Sequence, residues 1–133
     1  MPYSFTEHTA DVRMNVKDGT LPGLFEQALL GLFAFLRPVT RRQEATRIVV
    51  VCSPDMTALL VDFLNEALSL AQSNKEAYES VRFEKLVEGE LKAELKGHKV
   101  SSFGEDIKAT TYHEAKIERV PKAGWRAHII FDI

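Results

Sequence analysis

Hydrophobic and polar residues alternate with a period of two near the start of the chain. In the segment Asp11–Lys17 every second residue is apolar, and Asp18-Gly19 follows it as a typical turn. This pattern predicts a half-buried β-strand that ends at the turn. The preceding segment, Tyr3–Glu7, predicts a short first strand.

Helical spacing replaces this alternation in two later segments. The first helix is predicted to begin with Thr20 as its N-cap and to end before Pro38. The second is predicted to begin with Ser53 as its N-cap and Pro54 at the first helical position. A β-branched segment between them, Arg47–Cys52, predicts a buried strand. The apolar stripes that we expect to face the core are Leu21, Leu24, Phe25, Ala28, Leu29, Leu32, Phe35 and Leu36 in the first helix, and Met56, Leu59, Leu60, Phe63, Leu64, Ala67, Leu68 and Ala71 in the second.

Strands dominate the second half of the chain. Residues 81–87 and 90–96 alternate clearly and predict a hairpin across Glu88-Gly89, whereas residues 97–106 are interpreted as an irregular polar loop. A last hairpin is predicted from residues 110–120 and 125–133. Its final strand places His128 and Asp132 on one face and its aromatic residues on the other. The whole pattern predicts a single α+β domain over residues 1–133, with a mixed or largely antiparallel sheet and two helices packed on one face.

Composition and charge narrow the class of protein. The chain has 133 residues, 45% of them apolar and 27% charged, which is typical of a soluble globular domain. We expect a cytoplasmic protein, because no apolar run approaches the length of a membrane span, no secretory signal is visible and Cys52 is the single cysteine. Cys52 is interpreted as an inert buried thiol.

Net charge bears on the expected partners. The formal net charge of −2 argues against stable direct binding to nucleic acid, since such binding depends on neutralising phosphates. The one local basic cluster, Arg37, Arg41, Arg42 and Arg47, is interpreted as a solvated connection between a helix and a strand.

Candidate chemistry is concentrated at the two ends of the chain, since no common catalytic signature is present. Glu7, His8 and Asp11 place two carboxylates and an imidazole at the entrance to a strand. Carboxylates there can hold Ca²⁺ or Mg²⁺, but Thr9 and Asp11 can equally satisfy local backbone donors, and the second interpretation is favoured on composition alone.

The C-terminal strand adds further oxygen ligands. Phe131 and Ile133 are apolar enough to anchor its end, which would hold the Ile133 α-carboxylate beside Asp132. A metal site and a strand that merely ends in a charge are equally good interpretations of this segment. Elsewhere, Asp62 and Glu66 are interpreted as a solvated helix face and His98 as an exposed loop residue.

Four motifs in order resemble one known family, the archeases. Glu7–Val12 resembles the N-terminal signature of that family, and Leu59–Leu68 resembles its Leu-Leu-x-x-Trp/Phe-Leu-Asn-Glu stretch. Ile107–His113 is similar to its Lys-Ala-Val-Thr-Tyr-His motif, and Ile130–Ile133 to its Asp-Ile end. Together the motifs span essentially the whole chain.

The resemblance implies a fold and a function. It implies a compact α+β domain with a strand-helix-strand insertion, which is not itself an enzyme but activates an RtcB-type RNA ligase in tRNA splicing and RNA repair. It would promote guanylylation of the ligase and multiple turnover. The resemblance also implies an acidic metal-binding tip made of Asp11, Asp132 and Ile133, with calcium as the expected cation and Glu7 and His8 in support.

Two points stay open at the level of sequence. Arg13 stands where the family usually has glycine, so a cation lies next to the implied metal site and would either pair with an acidic residue or face away. A chaperone or adaptor role for another RNA-processing enzyme, such as a tRNA methyltransferase, is the alternative function.

Overall fold

The computed structural model describes residues 2–8 and 11–133, with the backbone alone for Glu7 and His8. The elements in chain order are β1 (Tyr3–His8), β2 (Asp11–Asp18), α1 (Leu21–Leu36), β3 (Pro38–Cys52), α2 (Met56–Asn74), β4 (Glu76–Val87), β5 (Glu90–Phe103), β6 (Ala109–Val120) and β7 (Gly124–Asp132). None of the helices in these described ranges has the length and apolar character needed to span a membrane.

The strands form two antiparallel sheets, and this α+β architecture confirms the predicted fold class. One sheet has the strand order β1-β2-β7-β6, and the other has the order β3-β5-β4. Each helix packs against strands of both sheets. The apolar residues of β2 and β7 face the helices in register, with Val12 opposite Phe131 and Met14 opposite Ile129. The other face of the four-stranded sheet is therefore left for polar residues.

Aromatic side chains join the layers of the core. Phe25 of α1, Phe63 of α2 and Phe83 of β4 form a cluster with ring centroids 5.8–6.2 Å apart. A second group links Phe35 of α1 to Phe131 of β7 at 5.7 Å. These contacts fix both helices against both sheets, because large buried rings cannot shift without opening cavities.

The helix starts show one confirmed and one wrong prediction. Thr20 caps α1, since its hydroxyl accepts the Gly23 N–H at 3.0 Å. At α2, however, Asp55 is the N-cap and accepts the Ala58 N–H at 2.8 Å. Ser53 lies two residues before this cap, and its hydroxyl donates to Asp62 at 2.5 Å. Pro54 likewise precedes the helix and does not occupy its first position.

Three strands extend further than predicted: β3, β5 and also β4, which begins at Glu76 rather than at residue 81. β3 begins at Pro38, so Arg41, Arg42 and Arg47 lie along a strand rather than in a helix–strand loop, while Arg37 is the C-cap of α1. Arg47 binds the buried Glu76 with Nε–Oε1 at 2.8 Å, so it is not simply solvated. β5 continues to Phe103, and most of the segment interpreted as a loop is therefore a strand.

Two single-residue predictions change with these strands. Cys52 is exposed, not buried, because it lies on the outward face of β3 together with Ile48 and Val50. His98 lies in β5 and is half-buried, with its Nδ1 3.0 Å from a Glu79 carboxylate oxygen.

Candidate metal-binding site

The four strands of the larger sheet begin or finish in one row of paired residues at one end of that sheet. Asp11 is paired with His8 of β1 on one side and with Asp132 of β7 on the other. Asp132 is paired in turn with Ala109 of β6. The two aspartates implied by the family resemblance, at residues 11 and 132 of the chain, are thus direct neighbours across the sheet.

The position of Asp132 is fixed by the residues around it. Phe131 is fully buried and packs on Phe35, while the Lys108 N–H donates to the Asp132 carbonyl at 2.8 Å. Asp132 and Ile133 themselves are exposed. The end of β7 is therefore held in place although its carboxylate faces solvent.

The electrostatics of this pair favour a cation. Directly opposed side chains of an antiparallel pair have their Cβ atoms about 4.5–5.5 Å apart, and like charges at that distance repel. Within residues 2–8 and 11–133, neither Asp11 nor Asp132 forms an ion pair. Asp11 Oδ1 is also buried without a hydrogen-bond partner among these residues. Oxygen ligands of this kind fit a hard divalent cation such as Ca²⁺ or Mg²⁺.

The described side chains supply only part of a coordination shell. They include no group of three or more His, Cys, Asp or Glu residues suited to a metal ion. The further ligand implied by the family resemblance is the α-carboxylate of Ile133, which follows Asp132 directly. The side chains of Glu7 and His8, predicted to support the site, lie outside what the structure describes, as do Thr9 and Ala10.

Arg13 lies on the same sheet face as Asp11, two residues further along β2. Its Cα partner is Ile130, which is followed across the sheet by Thr111. Its side chain forms no ion pair with Asp11 or Asp132, and its Nε is buried without a partner among the described residues. Thr111 Oγ1 is also buried without such a partner. Buried polar atoms of this kind call for a water, an ion or a ligand.

His128 lies one row further along, on the face of Asp132 as predicted. Its Cα partner on β2 is Asn15. Burial lowers the pKa of His128, and the positive charge of Arg13 lowers it further. The imidazole is therefore neutral at pH 7 and can both donate and accept a hydrogen bond.

A polar contact between α2 and β6 supports the same sheet edge and was missed in the sequence. Asp62, interpreted as part of a solvated face, accepts hydrogen bonds from the hydroxyls of Ser53 and Tyr112. Asn65 binds the Thr110 backbone twice, accepting from its N–H at 2.7 Å and donating to its carbonyl at 2.9 Å. The signal was the spacing of three between residues 62 and 65, which places both on one helix face.

Comparison with known proteins identifies the family. The family model of the archease proteins matches residues 3–133. The archease of Thermococcus kodakarensis is 36% identical over 135 residues, covering 96% of this chain and 95% of that protein. The archease of Methanosarcina acetivorans is 33% identical over 140 residues, covering 98% of this chain and 95% of that protein.

Solved structures agree in fold. An archease from Thermotoga maritima, described as a possible chaperone, superposes with a TM-score of 0.72 at 23% identity, covering 96% of this chain and 94% of its own. Protein 1598 of Methanobacterium thermoautotrophicum superposes with a TM-score of 0.73 at 19% identity, covering 99% of both chains. The two-sheet α+β architecture is thus shared with both structures. The chain belongs to the archease family.

Proposed function

We propose that this protein activates an RtcB-type RNA ligase through an acidic tip composed of Asp11, Asp132 and the Ile133 carboxylate. The observation that carries the proposal is the register of β2 and β7, which sets Asp11 directly opposite Asp132. The buried, unpartnered Asp11 Oδ1 supports a role in binding a cation.

The three tip residues would hold a divalent cation, with calcium as the expected ion. A bound cation would supply a strong local positive charge able to organise phosphate oxygens. Asp11 is half-buried and held within a paired strand, so it would provide the rigid ligand. Asp132 and Ile133 are exposed and would present the site to a partner protein.

In this proposal the protein has no catalytic residue of its own and works by completing the active site of the ligase. The tip would enter that active site and favour transfer of the guanylyl group to the ligase. It would thereby restore the ligase after each round of joining. The exposure of Asp132 and Ile133 suits this role, because a partner protein can contact them without rearrangement of the core.

The test is a guanylylation assay with the cognate ligase and radiolabelled GTP. We expect Asp132→Asn and a Gly-Ser extension after Ile133 to abolish the stimulation seen with the unmodified protein. Glu66→Gln is the matched control, since it removes an exposed carboxylate from α2 and should leave stimulation intact. An unmodified protein that fails to change the rate of guanylylation would exclude ligase activation.

A role as a chaperone or adaptor for another RNA-processing enzyme is the second candidate. The description of the Thermotoga maritima relative as a possible chaperone favours it. Ile48 and Val50, 53% and 65% exposed on β3, offer an apolar surface away from the tip. If Ile48→Lys abolished solubilisation of a tRNA methyltransferase while Asp132→Asn did not, this function would use β3 rather than the tip.

A further inference from the structure

A groove crosses the solvent-facing side of the four-stranded sheet, away from the acidic tip. It has a volume of about 550 Å³ and extends across β1, β2, β7 and β6. This volume lies in the range of sites for small molecules, roughly 300–1,000 Å³. Its floor includes two rows of paired residues: Ser4, Asn15 and His128 in one, and Lys17, Arg126 and Glu118 in the other.

The charges in this groove do not balance. Glu118 is the carboxylate that lines it, and two cations already bind Glu118: Arg126 with Nε–Oε2 at 2.7 Å and Lys116 with Nζ–Oε1 at 2.8 Å. Lys17 is exposed and forms no ion pair within the described part of the chain. Lys17 and Arg126 therefore line the groove beside one carboxylate, which Lys116 also neutralises from outside the lining. This leaves a local positive surplus in a protein whose net charge is −2.

The acidic tip is too distant to neutralise this surplus. Lys17 lies six residues along β2 from Asp11, a separation of roughly 20 Å at the rise of a β-strand. That is more than twice the screening length of about 8 Å at physiological ionic strength. Arg13 lies between the two regions and adds positive charge on the groove side, where it acts on His128.

Neutral hydrogen-bonding groups complete the floor beside the cations. Asn15 and Ser4 carry an amide and a hydroxyl, and the half-buried His128 adds an imidazole in the same row. Cations beside neutral donors form the environment that proteins use for phosphate oxygens. The groove residues include no aromatic ring on which a base could stack, so the phosphate rather than the base would be recognised.

We propose that this groove binds the phosphate groups of a nucleotide-sized molecule through Lys17 and Arg126. The guanidinium of Arg126 would then bind both Glu118 and the ligand, whereas the ammonium group of Lys17 would bind only the ligand. The site is distinct from the metal tip and does not require a ligase. The net charge of −2, which argues against stable binding to nucleic acid, does not show this concentration of cations on one sheet face.

Isothermal titration calorimetry in EDTA tests the site without any contribution from a metal. The probes are inorganic pyrophosphate, adenosine triphosphate and adenosine. We expect the first two to bind and adenosine not to bind. The double variant Lys17→Gln/Arg126→Gln should weaken pyrophosphate binding by about tenfold or more, as expected for the loss of two charge-assisted contacts.

Two further variants make the result specific. Lys85→Gln/Lys92→Gln removes the same charge from the other sheet and should leave binding unchanged. Glu118→Gln should strengthen binding, because it removes the carboxylate that competes for Arg126. This gain of affinity tests the site even if the double variant folds poorly.

Three outcomes would overturn the proposal. One is the absence of pyrophosphate binding by the unmodified protein. Another is an equal loss of affinity in the Lys85→Gln/Lys92→Gln control, which would indicate a general charge effect. The third is binding of a single-stranded RNA hexamer but of neither triphosphate nor pyrophosphate, which would identify a nucleic-acid surface instead. Because no ligase is present, failure here leaves the proposed activation of the ligase untouched.

Discussion

Arg13 sets the electrostatics of the sheet edge at the scale of a single residue. Its guanidinium lies on the face of Asp11, two residues along β2, and its charge already acts on His128. Two residues along a strand correspond to roughly 7 Å. A positive charge at that separation opposes binding of a second cation by about 1 kcal/mol under partial solvent screening. In the proposed metal-binding role, Arg13 would therefore make binding of a cation by Asp11 and Asp132 weaker than a neutral residue would.

We predict that Arg13→Gln tightens binding of Ca²⁺ by about fivefold, as the removal of about 1 kcal/mol of repulsion requires. Calorimetric titration with Ca²⁺ measures this change. Lys17→Gln is the matched control, since it removes the same charge from the same strand face beyond the screening length. Equal affinity in the unmodified protein and Arg13→Gln would show that the guanidinium turns away from the tip.

Tyr112 reports on Asp62 through its own ionisation. The Asp62 carboxylate accepts the Tyr112 hydroxyl hydrogen and, by stabilising the neutral phenol, raises the pKa of Tyr112 above its usual value of 10. We predict that Asp62→Asn lowers the midpoint of one tyrosine in an absorbance titration at alkaline pH. Tyr112→Phe should remove that same transition. An unchanged titration in Asp62→Asn would mean that the hydrogen bond is not maintained in solution.

At the scale of secondary structure, Asn65 connects helix α2 to strand β6 by hydrogen bonds. Its two hydrogen bonds to Thr110 hold β6 against α2, much as a further strand would. Ala109, the residue before Thr110 in β6, is the partner of Asp132. The contact therefore positions the row of residues that contains the proposed metal site.

We predict that Asn65→Ala lowers the free energy of unfolding by about 3 kcal/mol, because it leaves both the N–H and the carbonyl of Thr110 unsatisfied. Urea denaturation measures this loss. Glu66→Ala changes the neighbouring exposed residue and should stay within about 0.5 kcal/mol of the unmodified protein. A similar small effect of Asn65→Ala would show that water replaces the amide.

Glu76 ties the three strands of the smaller sheet together. It is 1% exposed and binds Arg47 of β3 and Lys99 of β5, each at 2.8 Å, while the Tyr78 hydroxyl donates to it at 2.8 Å. The hydrogen bond from Arg47, followed by that from Lys99, lowers the pKa of Glu76 from 4.5 to about 2 against the opposing effect of burial. The carboxylate is therefore charged in the folded protein wherever it is charged in the unfolded chain.

The depressed pKa determines how stability depends on pH. The contribution of Glu76 is fully present above pH 4.5, the ordinary pKa, and is lost as the pH falls through about 2. We predict that Glu76→Gln costs about 2 kcal/mol at pH 7, since it removes the charged acceptor of hydrogen bonds from the partly exposed Arg47 and Lys99. The difference from the unmodified protein should shrink as urea denaturation is repeated from pH 5 towards pH 2. A difference that is constant over this range would exclude the charge as its source.

The accuracy of sequence-based prediction differed between elements for physical reasons. Segments with one buried face, such as β2 and both helices, were predicted well because burial imposes a period on the sequence. The first part of β3, residues 38–44, has no buried residue, so no period marks it as a strand. Cys52 was misplaced because β3 is an edge strand whose outward face stays exposed in spite of its apolar residues.

The candidate site shows the same division. Residues 11 and 132 could be named from motifs at the two ends of the chain, but their pairing required the register of β2 and β7. The groove around Lys17 and Arg126 was invisible in the sequence, because its charges come from segments more than 100 residues apart and meet only in the sheet. Long-range pairing, which local pattern does not encode, accounts for both.

At the scale of the whole molecule, one sheet face carries two regions of opposite charge. The acidic tip lies at one end of β2 and β7, and the cationic groove at the other, roughly 20 Å away at the rise of a β-strand. Because this separation exceeds the screening length of about 8 Å at physiological ionic strength, the two regions should bind their proposed ligands independently of each other. The inward face of the sheet between them is packed against the core.

We therefore predict that Asp132→Asn removes Ca²⁺ binding yet leaves pyrophosphate binding in EDTA within about twofold of the unmodified protein, as expected for sites separated by more than a screening length. Lys17→Gln/Arg126→Gln should show the reverse pattern. Calorimetric titration of each variant with Ca²⁺ and with pyrophosphate gives a double-mutant cycle. The combined triple variant should lose binding of both ligands, with free-energy changes that add. A loss of pyrophosphate binding in Asp132→Asn would mean that tip and groove form one continuous site, with Arg13 as the residue that connects them.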